Sequence, residues 1–460
     1  MNNDTPIVPR QYLSIFIMLV SCFALWGLLN NMTDNLVPAF QKIFRTSQST
    51  AGFVQISFYG AYSVIAIFAS LLIQKAGYRV GVLVGLCVYV LGALLYVPAC
   101  IAQSFWTYIA GIFIVAGGCA VLETTCNPYV LALGDESTAV RRLNFAQMFN
   151  PVGSLAGILL AQQCILANLN PATVDERNEL AKTAPEQLNA IVNHELFWVC
   201  VPYVGLCAVA ACIGFFFFFS KRSSVDEVKH EKTDFKVIFA ILVHSPKWYL
   251  GVIAQVFYVG VQIAAWTWMN VYCQKELGVT SEHAATYYLI ALSTFIVCRW
   301  IATFCMKYIA PAKLMALFAI CAIACSFGVM YLRTDVLFSI GGLSFSANII
   351  CLVLMSGFMS LMFPTIYGIA LGGIDPRAHK IGAAGLIMAI VGGALLTPWM
   401  ADIIGDANSV WCQLVPMFSG EWDTNLKLTQ ASLRASFIVP AICFAVVLLY
   451  AILFAKRRKG

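Results

Sequence analysis

Charge is scarce in this 460-residue chain. Lys, Arg, Asp and Glu make up 11% of it, against about 25% in a soluble domain. Hydrophobic residues reach 60% and the mean hydropathy is +0.82. A soluble core of this length has no use for so much apolar surface, so the composition excludes an ordinary globular fold. The net charge of +6 sits in short loops between apolar runs and forms no basic stripe, so nucleic acid is not an expected partner. Histidine is rare. His194, His230, His244, His283 and His379 all fall in loops or at the ends of apolar runs. The sequence holds no HExxH, no nucleophile elbow and no Walker loop, so neither an enzyme nor an ATP-driven pump is expected, and no metal or cofactor is called for. The 17 Cys contain no CxxC pair. Most lie inside apolar runs, where a free thiol behaves as a small apolar group. Cys164, Cys273 and Cys412 fall near one membrane face, and no bridge is expected among them. The first apolar run lacks a small-residue cleavage site and is read as a retained helix, not a signal peptide.

What the sequence does have is length of apolar run. Twelve stretches are long enough to cross a bilayer at about 20 residues each: roughly 12–36, 52–74, 80–102, 106–132, 142–165, 196–219, 248–270, 284–306, 313–332, 347–372, 381–404 and 434–455. The polar break is 220–247. It divides an N-terminal six-helix unit, 1–219, from a C-terminal one, 248–460, and is read as a central cytoplasmic loop. The expected fold is therefore an all-α polytopic membrane protein with twelve transmembrane helices in two six-helix bundles. Basic residues set the orientation. With the N-terminus inside, 19 Lys and Arg fall in inside segments and 8 outside, with Arg299 left within a span; both termini are expected in the cytoplasm. An offset of about 236 residues relates Pro128 to Pro364 and Asp34 to Asn270, a weak internal repeat of the kind six-plus-six transporters show.

Two carboxylates stand out from the other acids, which are placed in loops or tails. Asp34 closes the first run and Glu123 lies inside the fourth. An ionisable group in a bilayer costs a few kcal/mol or more and by default marks an ion or substrate path. Polar side chains recur at helical spacing, which puts them on one face. Trp26, Asn30 and Asp34 follow i, i+4, i+8, bordered by Asn31. Tyr258, Gln262, Trp266 and Asn270 repeat the pattern, with Gln255 three residues earlier. Gln147, Asn150 and Ser154 do so in the fifth run, Glu123 and Asn127 in the fourth, and Gln55, Tyr59 and Tyr62 in the second. Amides offer donors and acceptors to hydroxyls, and aromatic faces suit a pyranose ring. The alternative is that these groups join helices to one another. Arg299 either snorkels to the inner face or serves as counter-ion to an intramembrane acid. Counted along the helices, Asp34 and Glu123 stand at different depths, which favours two stations on a path over a dyad sharing one proton.

Several segments carry a resemblance: Ala24-Leu-Trp-Gly-Leu-Leu-Asn-Asn-Met-Thr-Asp34, Leu122-Glu-Thr-Thr-Cys-Asn-Pro128, Arg142-Leu-Asn-Phe-Ala-Gln-Met-Phe-Asn150, and Ala254-Gln-Val-Phe-Tyr-Val-Gly-Val-Gln262 followed by Trp266. With Phe363-Pro-Thr-Ile366, Gly392-Gly and Thr397-Pro398, the chain resembles the L-fucose:proton symporter family of the major facilitator superfamily over nearly its whole length. The resemblance implies a secondary sugar transporter of the bacterial inner membrane, read as a monomer in lipid, carrying a monosaccharide with a proton by alternating access. It implies that Asp34 and Glu123 are the protonatable residues and that Gln147, Asn150, Gln255, Gln262 and Trp266 line the cavity. The family also contains glucose, galactose and amino-sugar carriers. Sodium coupling, a transporter-like sugar sensor and a channel remain as rival expectations. Lys75-Ala-Gly-Tyr-Arg79 resembles the facilitator loop motif without its usual Asp.

Overall fold

The computed structural model describes residues 6–34, 36–222, 225, 235–332, 335–375, 378–405 and 428–455. Of the residues named above, His230 and Cys412 lie outside them, as do Lys229, Lys232, Arg333, Arg377, Lys427, Lys456, Arg457, Arg458 and Lys459 among the Lys and Arg counted for orientation.

Helices dominate because a bilayer leaves backbone N–H and C=O groups no partner but each other. Among the described residues eleven helices are long and apolar enough to span. One of them, Phe53–Ile101, has 49 residues and supplies two spans, giving twelve. Span 1 is Leu13–Asp34. Spans 2 and 3 run through Phe53–Leu94 and bend at Gly77, whose φ of 84° suits a residue without Cβ. The basic loop expected there is this one joint. Span 4 is Phe105–Ala132. Span 5 is Ala139–Gln147 continued by Phe149–Leu160, and span 6 is Pro185–Phe219. The second half comprises span 7, Pro246–Leu277; span 8, Ser281–Cys305; and span 9, Pro311–Tyr331. Span 10 is Ala347–Met359 with Met362–Leu371. Span 11 is His379–Met388 with Gly392–Gly405, and span 12 is Leu428–Ala435 with Ile438–Ala455.

The central segment is more than a loop. Phe235–Val243 is a helix whose Ile238 and Leu242 are buried against Ile374 and Ala378 of the span 10–11 connection. A loop reading missed it because charged residues just before it set the composition of the whole segment, while its own nine residues, apolar but for Lys236, are too few to span. The span 5–6 connection holds another helix, Val174–Thr183, opened by a Thr173/Glu176 capping box. That box holds the Glu176 carboxyl below its usual range through hydrogen bonds from the Thr173 backbone and hydroxyl.

Small residues let spans 1 and 5 touch. A Cβ on Gly27 would stand 2.2 Å from the Asn150 carbonyl oxygen, and one on Gly153 would stand 2.0 Å from that of Ala24. The seam follows the small-residue rule for helix contact in lipid. Two cores result. The C-terminal core is made of spans 7–12 alone. The N-terminal core also takes in Tyr367, Ala370, Leu371, Ala383, Leu386 and Ile387. These six belong to the ends of spans 10 and 11 that lie on the same face as the N-terminus. The bundles therefore meet on that face.

Candidate functional site

Asp34 is the last residue of span 1 and is exposed, on the face opposite the termini. Tyr59, Tyr203 and Tyr288 lie within electrostatic reach of it. Glu123 sits mid-helix in span 4, half-buried, with the Tyr62 hydroxyl within electrostatic reach of it. Among the described residues neither acid forms an ion pair.

A chain of hydrogen bonds leaves the neighbourhood of Glu123. Asn127 Nδ2 donates to the Glu123 carbonyl at 2.9 Å, and Gln147 Nε2 donates to Asn127 Oδ1 at 2.7 Å. The Gln147 carbonyl in turn accepts from Arg299 Nη1 at 2.9 Å. Arg299 Nε donates to the Ser360 carbonyl, and its guanidinium covers the Phe295 ring at 4.6 Å. One arginine of span 8 thus joins spans 5, 8 and 10 across the two bundles. The counter-ion expectation for Arg299 is not met: carbonyl oxygens, not a carboxylate, receive its charge. Snorkelling is not met either, since the side chain is buried. An arginine can do this because its rigid fork spreads donors over several acceptors.

Further contacts close the same half of the interface. Asn144 Nδ2 donates to Thr365 Oγ1 at 3.2 Å. The Lys380 ammonium lies 5.2 Å from the Tyr78 ring. A Cβ on Gly368 would come within 3.0 Å of Val140 Cγ2. Thr365 and Arg299 each precede the end of their helix by six residues, so these contacts lie roughly 9 Å inside it.

The predicted cavity residues divide. Asn30, Asn31, Asn150, Gln262, Trp266 and Asn270 are half-buried. Trp266 Nε1 donates to Ser356 Oγ at 3.0 Å, with Phe295 5.3 Å and Tyr288 6.0 Å from its ring. The Asn30 side-chain oxygen has no hydrogen-bond partner among the described residues. Trp26, Gln147, Gln255 and Tyr258 are buried, and both amide atoms of Gln255 lack hydrogen bonds among the described residues. Asn150 and Ser154 act as helix joints: Asn150 Nδ2 donates to the Phe23 carbonyl at 3.3 Å and Ser154 Oγ to that of Gly27 at 3.3 Å. Asn31 turns back to its own helix, donating to the Gly27 carbonyl at 3.3 Å.

Tyr288, Phe295, Ser356 and Thr365 were not foreseen. Tyr288, Phe295 and Arg299 are spaced i, i+7, i+11, and that shared face was the available signal. The acids needed correcting too. Asp402 lies on span 11, exposed near its end, and Glu195 is buried on span 6.

The family profile of the Major Facilitator Superfamily matches residues 13–398. The chain belongs to the major facilitator superfamily. Within it the chain is 37% identical to an L-fucose-proton symporter of Haemophilus influenzae, over 97% of this chain and 98% of that protein, which places it in that symporter's family. It is 26% identical to a glucose/galactose transporter of Brucella abortus over 94% and 92% of the two chains. The crystal structure of FucP in the outward conformation superposes with a TM-score of 0.80 at 30% identity, covering 98% of this chain and all of that one. This facilitator therefore has the expected twelve-helix, multi-pass architecture, and its relatives are transporters.

Proposed function

We propose that this facilitator is an L-fucose:proton symporter of the bacterial inner membrane, working by alternating access as a monomer with both termini cytoplasmic. The observation that carries the reading is the chain Glu123–Asn127–Gln147–Arg299, which ties an in-span acid to the contact between bundles. The 37% identity to a named L-fucose-proton symporter supports the sugar. The bias of Lys and Arg toward the N-terminal face supports the orientation.

In this reading the structure faces outward. Asp34 meets outside water while Arg299, Asn144 and Lys380 hold the cytoplasmic half shut. A neutral acid costs less in a low-dielectric interior than a charged one. Protonation of Asp34 and then Glu123, with sugar bound among Gln147, Gln262, Trp266 and Asn270, removes the charge that opposes closure of the outer half. The bundles then rock, Arg299 leaves the Gln147 carbonyl, and Gln255 is wetted along the path inward. Glu123, nearer that half, releases the proton.

Sugar uptake into proteoliposomes, with internal pH monitored, tests the reading. L-fucose is expected to carry protons inward without sodium. Proton entry with glucose or galactose and none with L-fucose would move the assignment to the other branch of the family, and sodium dependence at fixed pH would replace the coupling ion. Counterflow of internal for external sugar excludes a channel, and any accumulation excludes a sensor.

Two substitutions follow from the contacts. Gln147→Ala and Trp266→Ala each remove a hydrogen-bonding or stacking partner and should weaken sugar binding about tenfold, near 1.4 kcal/mol; calorimetric titration reads it, and unchanged affinity in both returns these side chains to a packing role. Gly368→Leu drives a side chain into Val140 and should prop the cytoplasmic half open. Sugar binding to right-side-out vesicles should fall severalfold while inside-out vesicles retain it. Equal binding from both sides would remove the gate from this interface.

A further inference from the structure

Between spans 9 and 10, on the face opposite the termini, the chain forms a hairpin. Strand β1, Val336–Ile340, pairs antiparallel with β2, Leu343–Ser346. Gly341 and Gly342, at φ of 59° and 81°, make the turn, as two-residue hairpins require. The register sets Phe338 opposite Phe345 and Ile340 opposite Leu343, and the two Phe rings stack at 5.1 Å. An irregularity between Val336 and Phe338 leaves Leu337 as the extra residue of a bulge.

The exposure pattern is unusual. A hairpin with one wet face alternates apolar inward and polar outward. Here all five β1 residues are exposed and four are large and apolar: Val336, Leu337, Phe338 and Ile340. The strand pair contains no charged residue. It is fixed from the β2 side, where Tyr287 Oη at the start of span 8 donates to the Ser344 carbonyl at 2.7 Å and the Tyr287 ring meets Phe345 edge-on at 5.6 Å. β1 is left as the outer strand of a two-stranded sheet.

An apolar patch of this kind marks an interaction surface. Its continuation identifies what covers it. Phe327 and Leu332, at the adjoining end of span 9, are exposed as well, so the surface of β1 extends the lipid-facing surface of that span. The outer edge of β1 carries backbone N–H and C=O groups that hydrocarbon would leave unsatisfied. Those groups need water while the side chains do not, and the headgroup–acyl boundary supplies both conditions. We propose that this hairpin is a lipid-interface anchor, its β1 side chains seated in the leaflet opposite the termini, holding the C-terminal bundle at a fixed depth. The proposal does not depend on which sugar is carried.

The test places the photoreactive residue p-benzoylphenylalanine at Ile340, and separately at Leu337, in the full chain in native membranes. Phe327 serves as a lipid-facing control and Lys182 as a water-facing one. Mass spectrometry after irradiation should find phospholipid adducts at 340, 337 and 327 and none at 182. Adducts to a second copy of the chain would make the free strand edge a dimer contact and overturn the proposal. Adducts to another protein, or to the chain's own spans 1, 2 or 7, would overturn it in favour of a partner site or a lid. Labelling at 327 with no lipid adduct at either hairpin position would place the hairpin in water and overturn it equally.

Discussion

Glu123→Gln and Asp34→Asn are each expected to end uphill sugar accumulation. Both substitutions keep the shape of the protonated acid and remove its ability to release a proton. With one proton per sugar, each unit of pH difference drives roughly tenfold accumulation, about 1.4 kcal/mol; both variants should fall to simple equilibration whatever the gradient. They should differ in what survives. Glu123 makes its contacts through Tyr62 and through the Asn127–Gln147 chain, and its backbone carbonyl rather than its carboxylate holds Asn127. Gln at 123 leaves that chain in place, so exchange of labelled for unlabelled sugar should persist. Asp34 has no hydrogen-bond partner among the described residues, so Asn at 34 should insert and fold normally and lose the coupling to outside pH. Accumulation ratio, counterflow and sugar-induced pH change in the same proteoliposomes separate these outcomes. Normal accumulation by both variants would leave the acids without a role in coupling.

The spans were legible because lipid makes one demand of every residue, and the sequence answers it in runs of 20 or more. The connection between spans 2 and 3 was legible as the basic, Gly-containing segment 75–79, but not that a single non-helical residue, Gly77, makes it. The stripes were legible as faces and not as contacts. Period 3.6 put Asn150 and Gln147 on one side of span 5, but it could not tell that Asn150 bonds a carbonyl of span 1 while Gln147 meets Asn127. Arg299 shows the limit most directly. Its place in an apolar run left snorkelling open, yet it is buried and its two hydrogen-bond acceptors are backbone carbonyls, which every residue carries and no sequence pattern can single out. Glu195 looked solvated for the same reason: it reads as a loop acid, whereas it lies on span 6 and is buried against Arg177 of the span 5–6 connection.

That acid supports the largest expected loss of stability. Glu195 and Arg177 are almost fully removed from solvent. The guanidinium donates through Nη1 to Glu195 Oε2 at 2.8 Å and through Nη2 to Oε1, with Nε and Nη2 also bonded to the carbonyls of Ala172 and Asn170. The Asn170 N–H donates to Glu195 Oε1 at 2.8 Å. Arg177→Met should therefore strand a buried carboxylate and destabilise the protein by about 3–5 kcal/mol. The attraction within such a pair largely offsets the cost of drying it, so the double variant Arg177→Met/Glu195→Leu should recover most of that loss. Many of the cysteines are buried and free, among them Cys22, Cys119, Cys126, Cys200 and Cys207 in the same bundle, so the rate at which a thiol-reactive fluorophore labels them on heating reports the unfolding directly. Sugar affinity should be unchanged in the folded fraction of either variant, because the pair joins the span 5–6 connection to the outer end of span 6 and touches none of the residues around Glu123 or Trp266. The Glu276–Arg434 pair, at 2.7 Å between spans 7 and 12, occupies the matching face of the other bundle and is the internal comparison. Its arginine retains some exposure, so Arg434→Met should cost less than Arg177→Met. A single Arg177 variant as stable as the native protein, or a double variant no better than the single, would mean that the pair is not what braces this face.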